Sequence, residues 1–162
     1  MKQIIFFFSL VLVMVSCISN PTFVEQDGTT LETIKVKVNA NEWAYTQQGT
    51  ADQFNNNYFY AVVNAPEITE KVFDYGEVKA YAVFDRMNQT KARKHLLPYV
   101  LQVEEPTATC EWLYFTETYD FTYGIGWAEF NFRTSDFAYE DNVNINPPAM
   151  DFDIVITYPQ EF

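Results

Sequence analysis

The chain is poor in most of the groups that catalysis uses. It has a single histidine, His95, and two cysteines, Cys17 and Cys110. Nucleophilic catalysis needs a base within hydrogen-bond reach of the nucleophile, and past the first residues only Ser19 and Ser135 offer a serine hydroxyl. Neither sits in a G-x-S-x-G elbow. A Ser135–His95–aspartate arrangement therefore stands as a minor alternative, and no catalytic residue is assigned. One histidine and one spare cysteine do not make a usual zinc ligand set. The five glycines are isolated or confined to the Gly124-Ile125-Gly126 turn, which leaves no phosphate-cradling loop. No cofactor is expected.

Positive charge is scarce as well. Ten Lys and Arg face twenty-two Asp and Glu, for a net charge of −12. Such a chain gains no counterion-release energy on a polyphosphate, which argues against nucleic acid as a partner. Anionic lipid should repel it too. The exception is DRMNQTKARK, where Arg86, Lys91, Arg93 and Lys94 crowd together. A solvated hairpin loop is the plain reading of that stretch, and a meeting point for an acidic partner or a glycan is the functional one.

A long apolar run is also missing. Ile4 to Val15 is apolar apart from Ser9, well short of the roughly 20 residues that a spanning helix needs. Lys2 and the α-amine precede it, and Ser16-Cys17 follow. This is the layout of a secretory signal, and a cysteine directly after a small residue makes the cut site a lipobox. Residues 1–16 are expected to be a cleaved lipoprotein signal. Cys17 then carries a diacylglyceryl group and an acylated amine, palmitate-type chains each adding about 0.8 kcal/mol per buried CH₂. Ile18 follows in place of an inner-membrane retention aspartate, which favours the outer membrane. Residues 17–30, with Pro21, Gly28 and little periodicity, read as the lipidated N-terminus and a flexible tether spanning about 20 Å. Residues 31–162 suit one domain. With Cys17 lipidated, Cys110 has no partner for an intramolecular disulfide. It alternates with Trp112 and Tyr114, as a small buried hydrophobe on a strand would.

What the chain does have is alternation. In LETIKVKV, Ile34, Val36 and Val38 alternate with Lys35 and Lys37, the pattern of a half-buried strand. NNNYFYAVVN, GEVKAYAVF, HLLPYVLQV, TCEWLYFTE, GIGWAEFNF and FDIVITY read as further strands, with HLLPYVLQV broken by Pro98 and placed at an edge or irregular. About seven antiparallel strands separated by turn signals predict an all-β fold, a β-sandwich or a partly open barrel. One short connecting helix is expected near 69–75 in APEITEKVFDYG. Thr69 caps it and Glu70 suits its dipole. Ile68 and Phe73 make a hydrophobic staple, and Gly76 ends it in a left-handed conformation.

Two features remain for binding. Glu140, Asp141, Asn142, Asn144 and Asn146, with Asp151 and Asp153 behind them, raise the question of an irregular calcium site in the acidic loop 140–153. Pro147 excludes an EF-hand, and a polar loop is the favoured reading. Aromatic residues are dense, among them Tyr58, Phe59, Tyr60, Tyr114 and Phe115. Most should build the core. In YDFTYG, Tyr119, Phe121 and Tyr123 are the candidates for an outer-face platform for sugar stacking or a protein partner.

The order of Trp43, Pro66-Glu67-Ile68-Thr69, Gly76, Val78, Tyr81, Leu97-Pro98-Tyr99, Gly126, Phe130, Ser135-Asp136-Phe137 and Val155-Ile156 resembles a group of small lipoproteins of Bacteroidetes cell envelopes. There, too, a strand ends at a proline and an Ile-Thr segment opens a short helix. A glycine then starts the next strand, and an apolar strand closes the chain. The likeness covers most of residues 34–158. It implies a β-rich envelope domain without established activity and carries over no catalytic residue. The expected function is thus a lipid-anchored, non-catalytic binding or structural module, with a small envelope hydrolase or a glycan-binding module as alternatives. Cys17→Ser is expected to move the protein from the membrane to the soluble fraction and to block lipobox-type cleavage, which fractionation and the mass of the processed chain report.

Overall fold

Alternation becomes a sandwich in the computed structural model, which describes residues 19–26, 28–46, 58–106, 112–135 and 147–159. The signal, Cys17, Cys110 and the acidic stretch up to residue 146 lie outside the described residues. The first sheet has the order β1 (Ser19–Gln26), β2 (Thr29–Val38), β10 (Met150–Pro159), β5 (Glu77–Phe84) and β6 (Arg93–Leu96). The second runs β3 (Ala44–Thr46), β4 (Tyr58–Ala65), β9 (Gly126–Thr134), β8 (Trp112–Gly124) and β7 (Tyr99–Pro106). Every pairing is antiparallel.

The period of two decides which side chains meet. β2 turns Ile34, Val36 and Val38 inward, β10 adds Phe152, Ile154 and Ile156, and β5 adds Ala80 and Ala82. From the other sheet come Phe59, Ala61 and Val63 of β4 with Ala128, Phe130 and Phe132 of β9. The central strands touch through Phe130 and Phe152, stacked with ring centroids 4.0 Å apart and planes 14° from parallel. Each ring lies beside an alanine of its own sheet: Ala61 opposes Phe130 in register, and Ala82 opposes Phe152. Large residues are thus seated among small ones, as close packing between two sheets requires. Trp43 plugs one end and donates its indole N–H to the Pro148 carbonyl at 3.1 Å.

Three strands go beyond those read from sequence. The expected tether is not one over Ser19–Gln26, which pairs with β2 from Ser19↔Lys35 to Gln26↔Thr29. An edge strand is recruited by the unpaired N–H and C=O groups of its neighbour, so side-chain periodicity is a weak guide to it. Pro21 sits in the register shift between Ser19 and Thr22, where a missing N–H does least harm. β3 adds a short edge to the second sheet. The third is made by Pro98: HLLPYVLQV is two edge strands, β6 of the first sheet and β7 of the second, joined across a cis Leu97-Pro98 bond.

The short helix α1 (Glu70–Tyr75) stands where expected, with Thr69 Oγ1 accepting from the Val72 N–H at 3.3 Å. Two details differ. Ile68 is fully buried, whereas Phe73 stays half exposed against the edge of Tyr123, so its contact is with β8. Gly76 is extended (φ −97°, ψ −179°) and not left-handed. A glycine is needed there for space, because a Cβ would come within 2.7 Å of the Val72 carbonyl oxygen and 2.9 Å of that of Thr157.

One inward position is a carboxylic acid. Glu32 follows the parity of Ile34 and is 3% exposed, and its Oε1 and Oε2 of nearby Glu67 are buried without hydrogen-bond partners. Burial pushes the Glu32 carboxyl above its ordinary range, and the charge of Glu67 pushes the same way. The folded chain therefore holds a proton that the unfolded chain releases. This contribution to stability is complete below the ordinary carboxylate pKa and is lost as pH rises through the raised one. Glu32→Gln is accordingly expected to raise the melting temperature at neutral pH and to leave it nearly unchanged at about pH 4. Thermal unfolding of both chains across that range checks the difference.

Candidate functional site

The sequence candidates Tyr119, Phe121 and Tyr123 are not on the outer face. They lie two residues apart, so they share one parity on β8, and that parity faces inward. Tyr119 is 1% exposed, with its hydroxyl donating to Glu117 Oε2 at 3.0 Å. Phe121 packs on Phe130 at 5.4 Å and stacks on Tyr123 at 5.7 Å, both rings lying against the core. The outward residues of β8 are the even-numbered ones, including exposed Trp112 and Tyr114 at one end.

The basic loop is largely neutralised within the fold. Asp153, outward on central β10 yet 1% exposed, receives Arg86 Nη2 at 2.7 Å and Lys94 Nζ at 2.6 Å. Arg86 also reaches Asp151 at 3.4 Å and the Phe152 carbonyl oxygen at 3.0 Å. Arg93 lies 3.8 Å from Asp85. Among the described residues, Lys91 alone of the four has no ion pair. Asp151 and Asp153, placed by sequence behind a possible calcium loop, are instead the counter-charges of Arg86 and Lys94. No group of three or more His, Cys, Asp or Glu suited to a metal occurs among the described residues. Glu140 and its neighbours lie outside them.

Ser135 and His95 belong to different sheets. His95, on β6, stacks on Tyr99 at 4.2 Å and meets Phe84 edge-on at 5.6 Å, closing the seam between the sheets. Ser135, just past β9, accepts from the Thr116 N–H at 2.8 Å and donates its own N–H to the Thr116 carbonyl. Its hydroxyl serves the backbone of β8.

A row of partly exposed rings beside polar side chains lies on the outer face of the second sheet. On β4, Tyr58, Tyr60 and Val62 point outward, with the two tyrosine rings 6.2 Å apart and edge-on. Beside them on β9 are Arg133, Asn131 and Glu129, in register as Tyr60↔Asn131 and Val62↔Glu129. β8 continues the rows with Thr118, Asp120 and Thr122. Trp127 ends the β9 series, 42% exposed and folded over Gly124, where a Cβ would come within 2.6 Å of the indole. That glycine leaves room for the indole to lie flat on the sheet. On the far flank Tyr60 is paired with Ala44 of β3, a residue too small to cover a ring.

The electrostatics of this face are mixed. Burial raises the Glu129 carboxyl above its ordinary range, against the opposing effect of a hydrogen bond from Asn131. The Tyr58 phenol is raised by desolvation first, then by Glu129 and Tyr60, with Arg133 acting in the opposite direction. Asn131 is 7% exposed although it sits on the outer face, and its Oδ1 has no hydrogen-bond partner. The sequence reading had Tyr58 and Tyr60 among its aromatics but missed Trp127, Glu129, Asn131 and Arg133. The signal was the parity of GWAEFNFRT, in which Ala128, Phe130 and Phe132 claim the core and leave the other four outside.

Comparison of the chain with family models, curated proteins and solved structures finds no match. The face has to be interpreted from its own chemistry. The ion cluster on the opposite sheet, by contrast, is structural. Asp153→Ala is expected to destabilise the fold near the low end of the about 3–5 kcal/mol for breaking a buried pair, because Arg86 keeps Asp151 and Lys94 is half exposed. Lys91→Ala should change stability by less than about 0.5 kcal/mol. Urea unfolding of the two variants gives both numbers.

Proposed function

We propose that this protein is a lipid-anchored module of the bacterial cell envelope, on the outer membrane, that works by binding and not by catalysis. The lipobox pattern ending at Cys17 supports the anchor. The observation that carries the binding role is the outer face of the second sheet, where partly exposed rings lie beside a row of charged and amide side chains. Rings and hydrogen-bonding groups that converge on one surface are what a recognition site combines. The likeness to small Bacteroidetes envelope lipoproteins fits the same reading.

The anchor and the face are compatible. With β1 beginning at Ser19, an acylated Cys17 stands at most about 7 Å of extended chain from the sheet. The sandwich then rides close to the membrane through an edge of the first sheet. The face in question belongs to the second sheet and stays free.

The test uses the Cys17→Ser chain, which has no acyl anchor, mixed with isolated envelopes. Soluble on ordinary fractionation, it is expected to sediment once envelopes are supplied in large excess, and Tyr58→Ala with Tyr60→Ala is expected to leave it in the supernatant under those conditions with an unchanged melting temperature. Equal sedimentation of the two chains would count against the face as the binding surface.

A further inference from the structure

We infer that the ligand of this face is a neutral saccharide chain, an assignment that rests on the face being the binding surface and adds the chemistry of what it holds. The face consists of two parallel tracks. Along β4 run Tyr58, Tyr60 and Val62, and along β9 run Arg133, Asn131 and Glu129, ending at Trp127. Successive outward residues are about 7 Å apart along a strand, and neighbouring strands about 5 Å apart. One track offers apolar surface, and the other offers hydrogen bonds within a few ångströms of it. A ligand that fits both must carry a flat C–H face and a fringe of hydroxyls on the same small unit. A sugar ring does so, and few other biological units do.

The polar track also specifies which way the hydrogen bonds run. Glu129 and Asp120 present carboxylates and Asn131 an amide oxygen, while Arg133 and the tyrosine hydroxyls supply donors. Asn131 is the informative member. Its Nδ2 is engaged with Glu129, and its Oδ1 is left without a partner in a residue more than nine-tenths buried. Such an orphan acceptor is unfavourable, and a ligand hydroxyl reaches it only where the side chains that screen it from solvent move aside. Hydroxyls both donate and accept, so a polyol satisfies this mixed set where a purely accepting group does not.

Charge and backbone narrow the class further. Asp120 and Glu129 outnumber Arg133 on the face, and the chain as a whole is at −12, so phosphorylated, sulfated or uronic-acid polymers are disfavoured. A peptide joining as an extra strand needs unpaired main-chain groups. β9 and β8 are each paired on both sides, and β4 is so at Phe59 and Tyr60, so beside the Tyr60 ring the face has none to give. The tracks extend over seven residues of β9, from Trp127 to Arg133, or about 20 Å. That length favours a chain of several sugars over a single one.

The experiment uses the full chain, extracted from membranes in detergent, in affinity electrophoresis through gels holding mixed-linkage β-glucan, xylan, mannan or amylose. At least one of these is expected to retard it. Tyr60→Ala and Arg133→Ala should each weaken retardation about tenfold with unchanged melting temperatures, and longer oligosaccharides of that polymer should compete better than shorter ones. Arg133 is exposed, so its variant tests the site even where loss of the Tyr60 ring disturbs the sheet. Retardation by none of the four, retardation that neither variant alters, or retention only by an acidic polymer such as alginate would each overturn the assignment. If envelopes still retain the Cys17→Ser chain through Tyr58 and Tyr60 while no polysaccharide binds, the face remains a binding surface and its ligand is of another class, such as a protein.

Discussion

Phe130 and Phe152 lie face to face at 4.0 Å between the central strands of the two sheets, and the placement of most other residues depends on that contact. A strand has no intermediate orientation: slipping one residue sends every side chain to the other face. Once Phe130 is inward, Ala128 and Phe132 must follow, and Trp127, Glu129, Asn131 and Arg133 must point outward. Once Phe152 is inward, Ile154 and Ile156 follow, while Asp151 and Asp153 are forced to the outer face of the first sheet. The core thus fixes both outer surfaces. The candidate binding face and the buried ion cluster are two consequences of the same packing.

Those two surfaces end up with opposite characters. On the first sheet, Asp153 would be an intolerable buried charge alone, and Arg86 and Lys94 fold over it from the β5–β6 loop and β6. Two of the basic residues that looked available in sequence, Arg86 and Lys94, are consumed in doing so. On the second sheet, among the described residues, no loop cation forms an ion pair with Glu129. Its nearest support is Asn131, which in giving its N–H leaves its oxygen unsatisfied. On the first sheet the outward Asp153 is met by ion pairs, whereas on the second Asn131 Oδ1 has no partner.

The sequence revealed what the period of two reveals. β2, β4, β5, β9 and β10 were legible because apolar and polar residues alternate in them, and Thr69 was legible as a cap because a local side chain satisfies a local N–H. Less of the rest is written in periodicity. β1 pairs through backbone groups that every residue possesses, so Ser19–Gln26 read as a tether. Pro98 was recognised as a break, but a break does not say that the two halves join different sheets. Gly76 was assigned to the right boundary for the wrong reason, since the crowding by Thr157 comes from a strand far along the chain. In β8, aromatic density drew attention to Tyr119, Phe121 and Tyr123, although their spacing of two already placed them together on one face.

The mismatch between density and exposure bears on how a β-sandwich makes a surface for recognition. A strand rich in aromatics puts them where burial is most favourable, so its largest cluster is a poor guide to the outside. The informative strands are those in which the core positions are already filled by unambiguous apolar residues. GWAEFNFRT is such a strand: Ala128, Phe130 and Phe132 leave no doubt about parity, and the outward tryptophan, acid, amide and arginine then stand without a structural task that burial explains. Where a tryptophan lies over a glycine and an asparagine is buried on an outer face with its oxygen unpaired, packing alone gives no account of the arrangement. The saccharide we propose for this face would.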